Sequence, residues 1–569
     1  MTARKGAETM KVAVYRLQKK RGSSYFSLAM ELDYAYWEEH QIEIRDVRTY
    51  ASFGQALVSE SHLTTSVDFI SAQSFTHSSI WDVWRPSALR LWQRAQGRSL
   101  LWHELSSLLT YYQCTEEQKQ MRKVVQALYC AGKVEVLPAI TLYSQVRGMC
   151  NRCFHDGKEL QQVYCASCKK DCLMCRACLH MGKSISCQLL LRFPTGKVEE
   201  RWESGQPANK VWIEVGQSQW GSVERAGAEQ CRQFIAATQT KLLVWTVAGN
   251  HNIKLLAPAM REVVGSGGRV LWLSSYRGNV EGIAAELAQY FPQTRVVHLV
   301  GERSQVWEQG EIMVATVAQL LRFCQFFTLV IMDERESVGL EEVALRERKM
   351  DRVTRPGGKQ VILSLTPAPY WQARVQQGKM ASLIIPVRHH QHPLAVPRIS
   401  RKHGLWEHMR AGRKVAGISR FLERVRATEG QALILVPRIS AAYNLRKWMM
   451  RRMDVNEDEL GIVVTSHLEE DIEVEHFREG KRRILLTTRL LGRAITLPKV
   501  HVLVVGADDP QYDWCTLVHA AEHVGHSSSY RQGEVCFIVA EHSWQVRRAR
   551  NTINSLNRLA QKRGVISSL

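Results

Sequence analysis

From about residue 230 onward, the chain alternates short, continuous apolar runs with longer stretches whose apolar positions recur at helical spacing. The runs are KLLVWTV, RVLWLS, RVVHLV, EIMVATV, TLVIMDE and QVILSLT, separated by polar or glycine-containing turns such as GSGG at 265–268. A strand apolar on both faces must be covered on both, so this pattern predicts a parallel sheet sandwiched between helices. A basic bridge containing Pro and His follows, IPVRHHQHPLAVPRISRKHG at 385–404, and then a second series: QALILVP, GIVVTS, RRILLTT, VHVLVVG and GEVCFIV. We therefore expect one α/β domain at 230–384, a basic linker at 385–425 and a second α/β domain at 426–569. Two doubly wound domains in tandem have the architecture of a helicase motor core, although architecture alone does not fix function. Upstream, residues 1–149 mix helical patterns with Trp37, Trp81, Trp84, Trp92 and Trp102. These tryptophans are expected to form the core of an α+β region that carries no interpretable motif. A polar connector is expected at 188–229.

At 569 residues the chain is too long for one core. Its 76 Lys and Arg outnumber 55 Asp and Glu to give +21, which favours a polyanionic partner, nucleic acid ahead of an anionic membrane. The first twenty residues contain no apolar signal region, and no apolar run approaches the roughly eighteen residues of a bilayer span. A reducing cytoplasm is the expected setting, where the 14 cysteines serve as thiols or metal ligands rather than disulfides.

Eight of those cysteines fall between 150 and 187, in CNRCFHDGKELQQVYCASCKKDCLMCRACLHMGKSISC. Tetrahedral Zn²⁺ takes four thiolates, commonly from two C-x-x-C knuckles with a loop between them. The outer knuckles, Cys150/Cys153 and Cys175/Cys178, suit one such site. Cys165, Cys168, Cys172 and Cys187 either supply a second site or simply pack. An all-cysteine set leaves no open coordination position, so a structural metal is expected, not a catalytic one.

Several landmarks occur in a fixed order: CNRC with MCRACLHMG, the LLVW strand, ATVAQLLRF, VIMDE, LLTTRLLGRAITLP and LVHAAEHVGHSSSYRQGEV. As a set, they resemble the ComFA family of late-competence proteins, helicase-like DNA-dependent ATPases that help drive transforming DNA into bacteria. The resemblance runs over roughly 145–560, with little contribution from the N-terminal quarter. It implies two tandem RecA-like domains preceded by the zinc module at 150–187. It also implies single-stranded DNA as a partner, a ComFC-like protein and a membrane DNA channel as further partners, and a place at the inner face of the membrane.

Against that family pattern, the nucleotide site is degenerate. A Walker A loop needs a glycine, a lysine and a Ser/Thr in succession at a helix start, to admit the phosphates, neutralise them and hold Mg²⁺. Counted back from Pro258, those places hold His251, Asn252 and Ile253; only Gly249 of the turn remains. Lys254 lies two helical positions, about 200°, from the lysine place and points elsewhere. The two motif VI arginines fall at His523 and His526, and the preceding glycine at Glu522. Asp333 and Glu334 keep the Walker B acids, while the last acid of that box has become Glu336. Ser364 and Thr366 keep the hydroxyls of the motif that couples nucleotide to DNA. Arg277, Arg322, Arg489 and Arg493 sit where DNA contacts fall in such motors, and Arg388, Arg398, Arg401 and Lys402 add linker charge. The sequence thus predicts a zinc-containing DNA-binding protein for which ATP and Mg²⁺ are poor ligands and hydrolysis is lost or severely impaired. An active ATPase with a rearranged loop and a protein–protein scaffold are the alternatives.

Overall fold

The computed structural model describes residues 11–18, 24–60, 63–64, 72–144, 146–166, 168–195, 222–247, 252–275, 277–301, 307–334, 340–388, 390–453, 455–464, 472–488, 490, 499–525, 530 and 533–566. Within them the two predicted α/β lobes are present. In the first, seven strands pair in parallel in the order Val296–Leu299, Ile312–Thr316, Val270–Ser274, Phe327–Glu334, Thr354–Ser364, Lys241–Thr246, Ala381–Ile385. The second has six, in the order Arg398–Arg401, Val535–Val539, Val500–Val505, Gln431–Leu435, Ile484–Thr487, Leu460–Val463, again all parallel. Strands such as VLWLS at Val270–Ser274 and VHVLVV at Val500–Val505 are buried along their whole length, as strands covered by helices on both faces require. Parallel pairing puts Thr246, Ser274, Glu334 and Ser364 at one carboxyl edge, where open α/β sheets bind their ligands.

The lobes share a core. Val247 and Leu365 from the carboxyl edge of lobe 1 pack in one cluster with Val504, Leu517, Ala521 and Val524 of lobe 2. The bridge between the lobes is less of a linker than expected. Its segment Arg398–Arg401 is the edge strand of the lobe 2 sheet, and helices Leu405–Arg410 and Ala416–Ala427 bury Leu405, Ile418, Phe421 and Leu422 in that lobe's core. The alternation that marks these elements lay among basic residues, which hid it.

The N-terminal region is a small α+β unit. Its sheet runs Ile44–Tyr50, Val12–Leu17, Ser24–Ser27, Leu63–Thr64, packed against helices that include Ser79–Ala95 and Met121–Cys130. The Ser79–Ala95 helix begins where the Ser78 Oγ accepts the Trp81 N–H at 3.2 Å. Trp37, Trp81 and Trp92 are buried in the core, with Trp84 and Trp102 packed against it. A second, three-stranded sheet joins Ser99–Leu101, Leu189–Arg192 and Glu135–Pro138. The first residues of the expected connector are therefore its central strand. The cysteine-rich segment is an excursion between two neighbouring strands of this sheet, not a bead between domains.

Candidate functional site: the cysteine module and the interlobe cleft

The cysteines converge into two groups of four, Cys150/Cys153/Cys175/Cys178 and Cys165/Cys168/Cys172/Cys187, with the Sγ atoms of each group within 4.8 Å of one another. In the first group Cys150 and Cys178 approach to 3.8 Å, and Cys153 and Cys175 to 3.4 Å. Four sulfurs at ~2.3 Å from a tetrahedral zinc stand about 3.8 Å apart, so the donor set fits the metal that the sequence implies. The local fold places them. Cys150 ends the strand Gly148–Cys150, and the knuckle turns at Phe154, whose φ of 66° is left-handed. Cys175 ends Lys170–Cys175, and Cys178 leads into a short 3₁₀ turn closed by Gly182 at φ 101°.

This first knuckle pair is docked on lobe 1. Fully buried Arg152 donates to Glu104 at 2.5 Å and to the Met181 carbonyl at 3.0 Å. Arg352, from the lobe 1 helix Leu340–Val353, donates to the Arg152 carbonyl at 2.5 Å and the Leu320 carbonyl at 3.0 Å, and its guanidinium lies 5.0 Å from the Phe154 ring centre. Burial lowers the Arg352 pKa to about 10, still far above neutrality. Arg322 belongs to the same junction. It is buried, 3.5 Å from Glu104 and over the Trp307 ring. Its expected place on a DNA track is thus replaced by a structural one. Nothing in sequence spacing linked Glu104, Arg152 and Arg352.

In the cleft, the structure shows what occupies the degenerate positions. Gly249 and His251 lie outside the described residues, as do Glu336, Arg489, Arg493 and His526. Asn252 and Ile253 form the first turn of the helix Asn252–Gly265, and both are buried. Ile253 is part of the lobe 1 core. Neither polar atom of the Asn252 amide has a partner among the described residues. Asp333 and Glu334 are buried at the strand end, where Trp371 Nε1 donates to Glu334 Oε1 at 3.2 Å. Burial pushes the Glu334 carboxyl up to about 7, opposed by the Trp371 bond and Arg346.

Across the cleft, Glu522 is buried at the end of the helix Trp514–Glu522 and His523 caps it. The Thr366 hydroxyl approaches His519 Nε2 at 3.4 Å, and His519 Nδ1 lies 3.2 Å from Glu522 Oε2. With Nδ1 protonated, these form a continuous Thr–His–Glu chain from lobe 1 to lobe 2. Arg388 is buried too. It donates to the Glu522, Val524 and Gly525 carbonyls at 2.8, 2.6 and 2.8 Å, where the carbonyls of a helix C-terminus need donors from outside the helix. Its guanidinium is thus committed to these carbonyls and buried. Ser364 Oγ accepts from the Thr366 N–H at 3.2 Å. Arg398 pairs with Glu534 at 2.7 Å, while Arg277, at the start of the helix Arg277–Tyr290, and Arg401 are exposed.

Residues 88–192 match the family model for the competence protein ComFA N-terminal domain. The chain is 27% identical over 424 residues to the competence protein ComFA of Bacillus subtilis (strain 168), covering 73% of this chain and 87% of that protein. It is 24% identical over 467 residues to the ComFA of Streptococcus pneumoniae (strain ATCC BAA-255 / R6), covering 80% and 98% respectively. Among solved structures, S. cerevisiae Dbp5 bound to RNA and ADP BeF3 aligns over 59% of this chain and 87% of its own, at 15% identity and a TM-score of 0.42. The family match begins well before the cysteines. The expectation that likeness starts near 145 was too narrow, because the sheet carrying the module is built from strands on both sides of it.

Proposed function

We propose, from the kinship of this chain with the competence protein ComFA along most of its length, that it is a zinc-containing, DNA-binding protein of DNA uptake whose helicase-type core no longer hydrolyses ATP. The observation that carries the reading is the state of the cleft: Ile253 is part of the core, Asn252 is buried without charge, and Glu522 stands bonded to His519 where the family has a glycine. A lysine, a Mg²⁺-binding hydroxyl and the arginines that stabilise transition-state charge are all replaced, and an arginine finger alone is worth on the order of 10³-fold in rate. Zn²⁺ held by Cys150, Cys153, Cys175 and Cys178 supplies a fixed tetrahedral cross-link and no reaction chemistry. The chain's own residues turn that cross-link into a docking face: Arg152 ties the knuckles to Glu104 of the N-terminal unit, and Arg352 ties them to lobe 1.

DNA binding is supported by the +21 balance and by exposed Arg277, with Arg489 and Arg493 as further contacts. No described helix is long and apolar enough to cross a membrane; we place the protein at the cytoplasmic face, alongside a ComFC-like partner and the DNA channel. The test is one purified protein in two assays. Anisotropy with labelled single-stranded DNA should show sequence-tolerant binding that weakens steeply with salt. ATP turnover with and without that DNA should stay at background, and should return only when His251→Gly, Asn252→Lys and Ile253→Thr are combined with His523→Arg and His526→Arg. DNA-stimulated turnover by the unmodified chain, abolished by Asp333→Ala, would overturn the reading in favour of a working motor.

A further inference from the structure

We propose that the module binds two zinc ions, the second held by Cys165, Cys168, Cys172 and Cys187, and that the two sites are cross-braced. The inference deepens the zinc reading of the first knuckle pair. Its own support lies at the far end of the hairpin formed by Leu160–Cys165 and Lys170–Cys175. There Cys165 and Cys187 approach to 3.6 Å, and Cys168 and Cys172 to 3.3 Å. Disulfide sulfurs stand ~2.05 Å apart, so these distances belong to a tetrahedral S₄ set and not to bonded pairs. Simple packing explains the convergence poorly. Among the described residues the cluster is Cys165, Cys168 and Cys172 with Ile185 and Cys187 beside them, too little apolar surface to hold four thiols out of water.

The backbone is shaped to bring them together. Lys169, at a left-handed φ of 54°, donates its N–H to the Cys165 carbonyl at 2.8 Å and closes the knuckle. Ser186 holds Cys187 in place from both sides: its N–H donates to the Leu173 carbonyl at 2.9 Å, and its Oγ accepts from the Leu173 N–H at 3.2 Å. Sulfur-only donors with no open position select a closed structural zinc.

The order of ligands along the chain is the consequential part. Cys150 and Cys153 serve the first ion, Cys165, Cys168 and Cys172 the second, Cys175 and Cys178 the first again, and Cys187 the second. Cys172 and Cys175 lie on one strand and ligate different ions. Neither site closes without drawing the other's ligands together, so the segment folds as one unit around two metals.

Elemental analysis of the full-length protein tests this. Wild type should carry two zinc ions per chain. Cys172→Ser with Cys187→Ser should lose one ion and weaken retention of the other, read as faster release of the remaining zinc to a chelator. Cys187→His, which keeps a zinc donor, should retain two. Substitution with Co²⁺ should give tetrahedral thiolate spectra of twice the single-site intensity. One ion per chain, with the four second-site thiols reacting freely or oxidised in pairs, would overturn the proposal, as would two ions surviving in the Cys172→Ser/Cys187→Ser protein. A single ion that survives Cys153→Ser with Cys175→Ser but not the second-site changes would instead remove the first site and leave this one standing.

Discussion

The cysteine module and the interlobe cleft are both places where side chains of ligand-binding type are gathered, and they differ in what those side chains do. In the module every donor except half-buried Cys187 is buried, and each is turned toward three others. In the cleft the corresponding positions serve the protein itself: Ile253 packs in a core, Glu522 bonds His519, and Arg388 caps a helix. The difference follows from local surroundings. The first-group cysteines pack beside Ile140, Leu173, Met181 and Leu321, but each aims its sulfur at three others, so a substitution there gives up a donor without gaining a core. A phosphate-loop position sits in the first turn of a helix against the sheet, where an apolar side chain is stabilised by burial, about 1.5–3 kcal/mol for an isoleucine-sized group. Apolar packing at the cleft positions is therefore compatible with a stable fold.

The most severe way to break the contrast is to remove ligands from the first site. Cys153→Ser with Cys175→Ser should release its metal and unfold the 150–187 segment, because structural zinc contributes on the order of 10–16 kcal/mol of apparent folding free energy. Elemental analysis with limited proteolysis across 150–187 checks it; a metal-free segment that still resists protease would equate the two regions.

A smaller effect is expected at the junction that couples them. Arg152→Ala leaves Glu104 buried beside Arg322 with its closest partner gone, and should cost about 3–5 kcal/mol. Denaturant melts should show the loss. Arg152→Met with Glu104→Leu should not restore the wild-type stability, since buried Arg322 then loses its Glu104 carboxylate as well.

The smallest effect concerns the buried acid at the end of the lobe 1 strand. Glu334 has a folded pKa near 7 against an ordinary 4.5, raised by burial. Between those values the folded state keeps a proton that the unfolded state has released. Stability therefore falls as pH rises from about 4.5 to about 7, and is level above. Glu334→Gln should flatten that slope and be the more stable protein above pH 7, by on the order of 1–3 kcal/mol. An unchanged slope in paired melts from pH 4.5 to 8 would mean that this carboxylate is solvated in the folded protein.

Much of this was legible before any coordinates. Continuous apolar strands announced both parallel sheets, because period and burial are local properties of sequence. Cysteine spacing announced the module, because a knuckle is a local turn. What stayed hidden depended on distant partners. Arg322 looked like surface charge until Glu104, more than two hundred residues earlier, was found beneath it at 3.5 Å. Arg388 looked like a linker cation until its three carbonyl acceptors, all beyond residue 520, were placed around it. The strand Leu189–Arg192 read as connector because four residues carry too little alternation to show. Charge in a sequence does not say whether it will meet water or a counter-charge, and only the fold decides.

The excursion that carries the cysteines leaves and rejoins its sheet at adjacent rungs: Leu189 is paired with Pro138, and the Ala139 N–H donates to the Gln188 carbonyl at 2.8 Å. Topologically the module is a long loop on a hairpin whose two stems already touch. A tight turn joining 138 to 189 would restore the hairpin without it, whereas a cut at only one end would leave a tethered flap. Nature or an engineer can thus add, exchange or delete this whole unit in a single step without rethreading the rest of the chain.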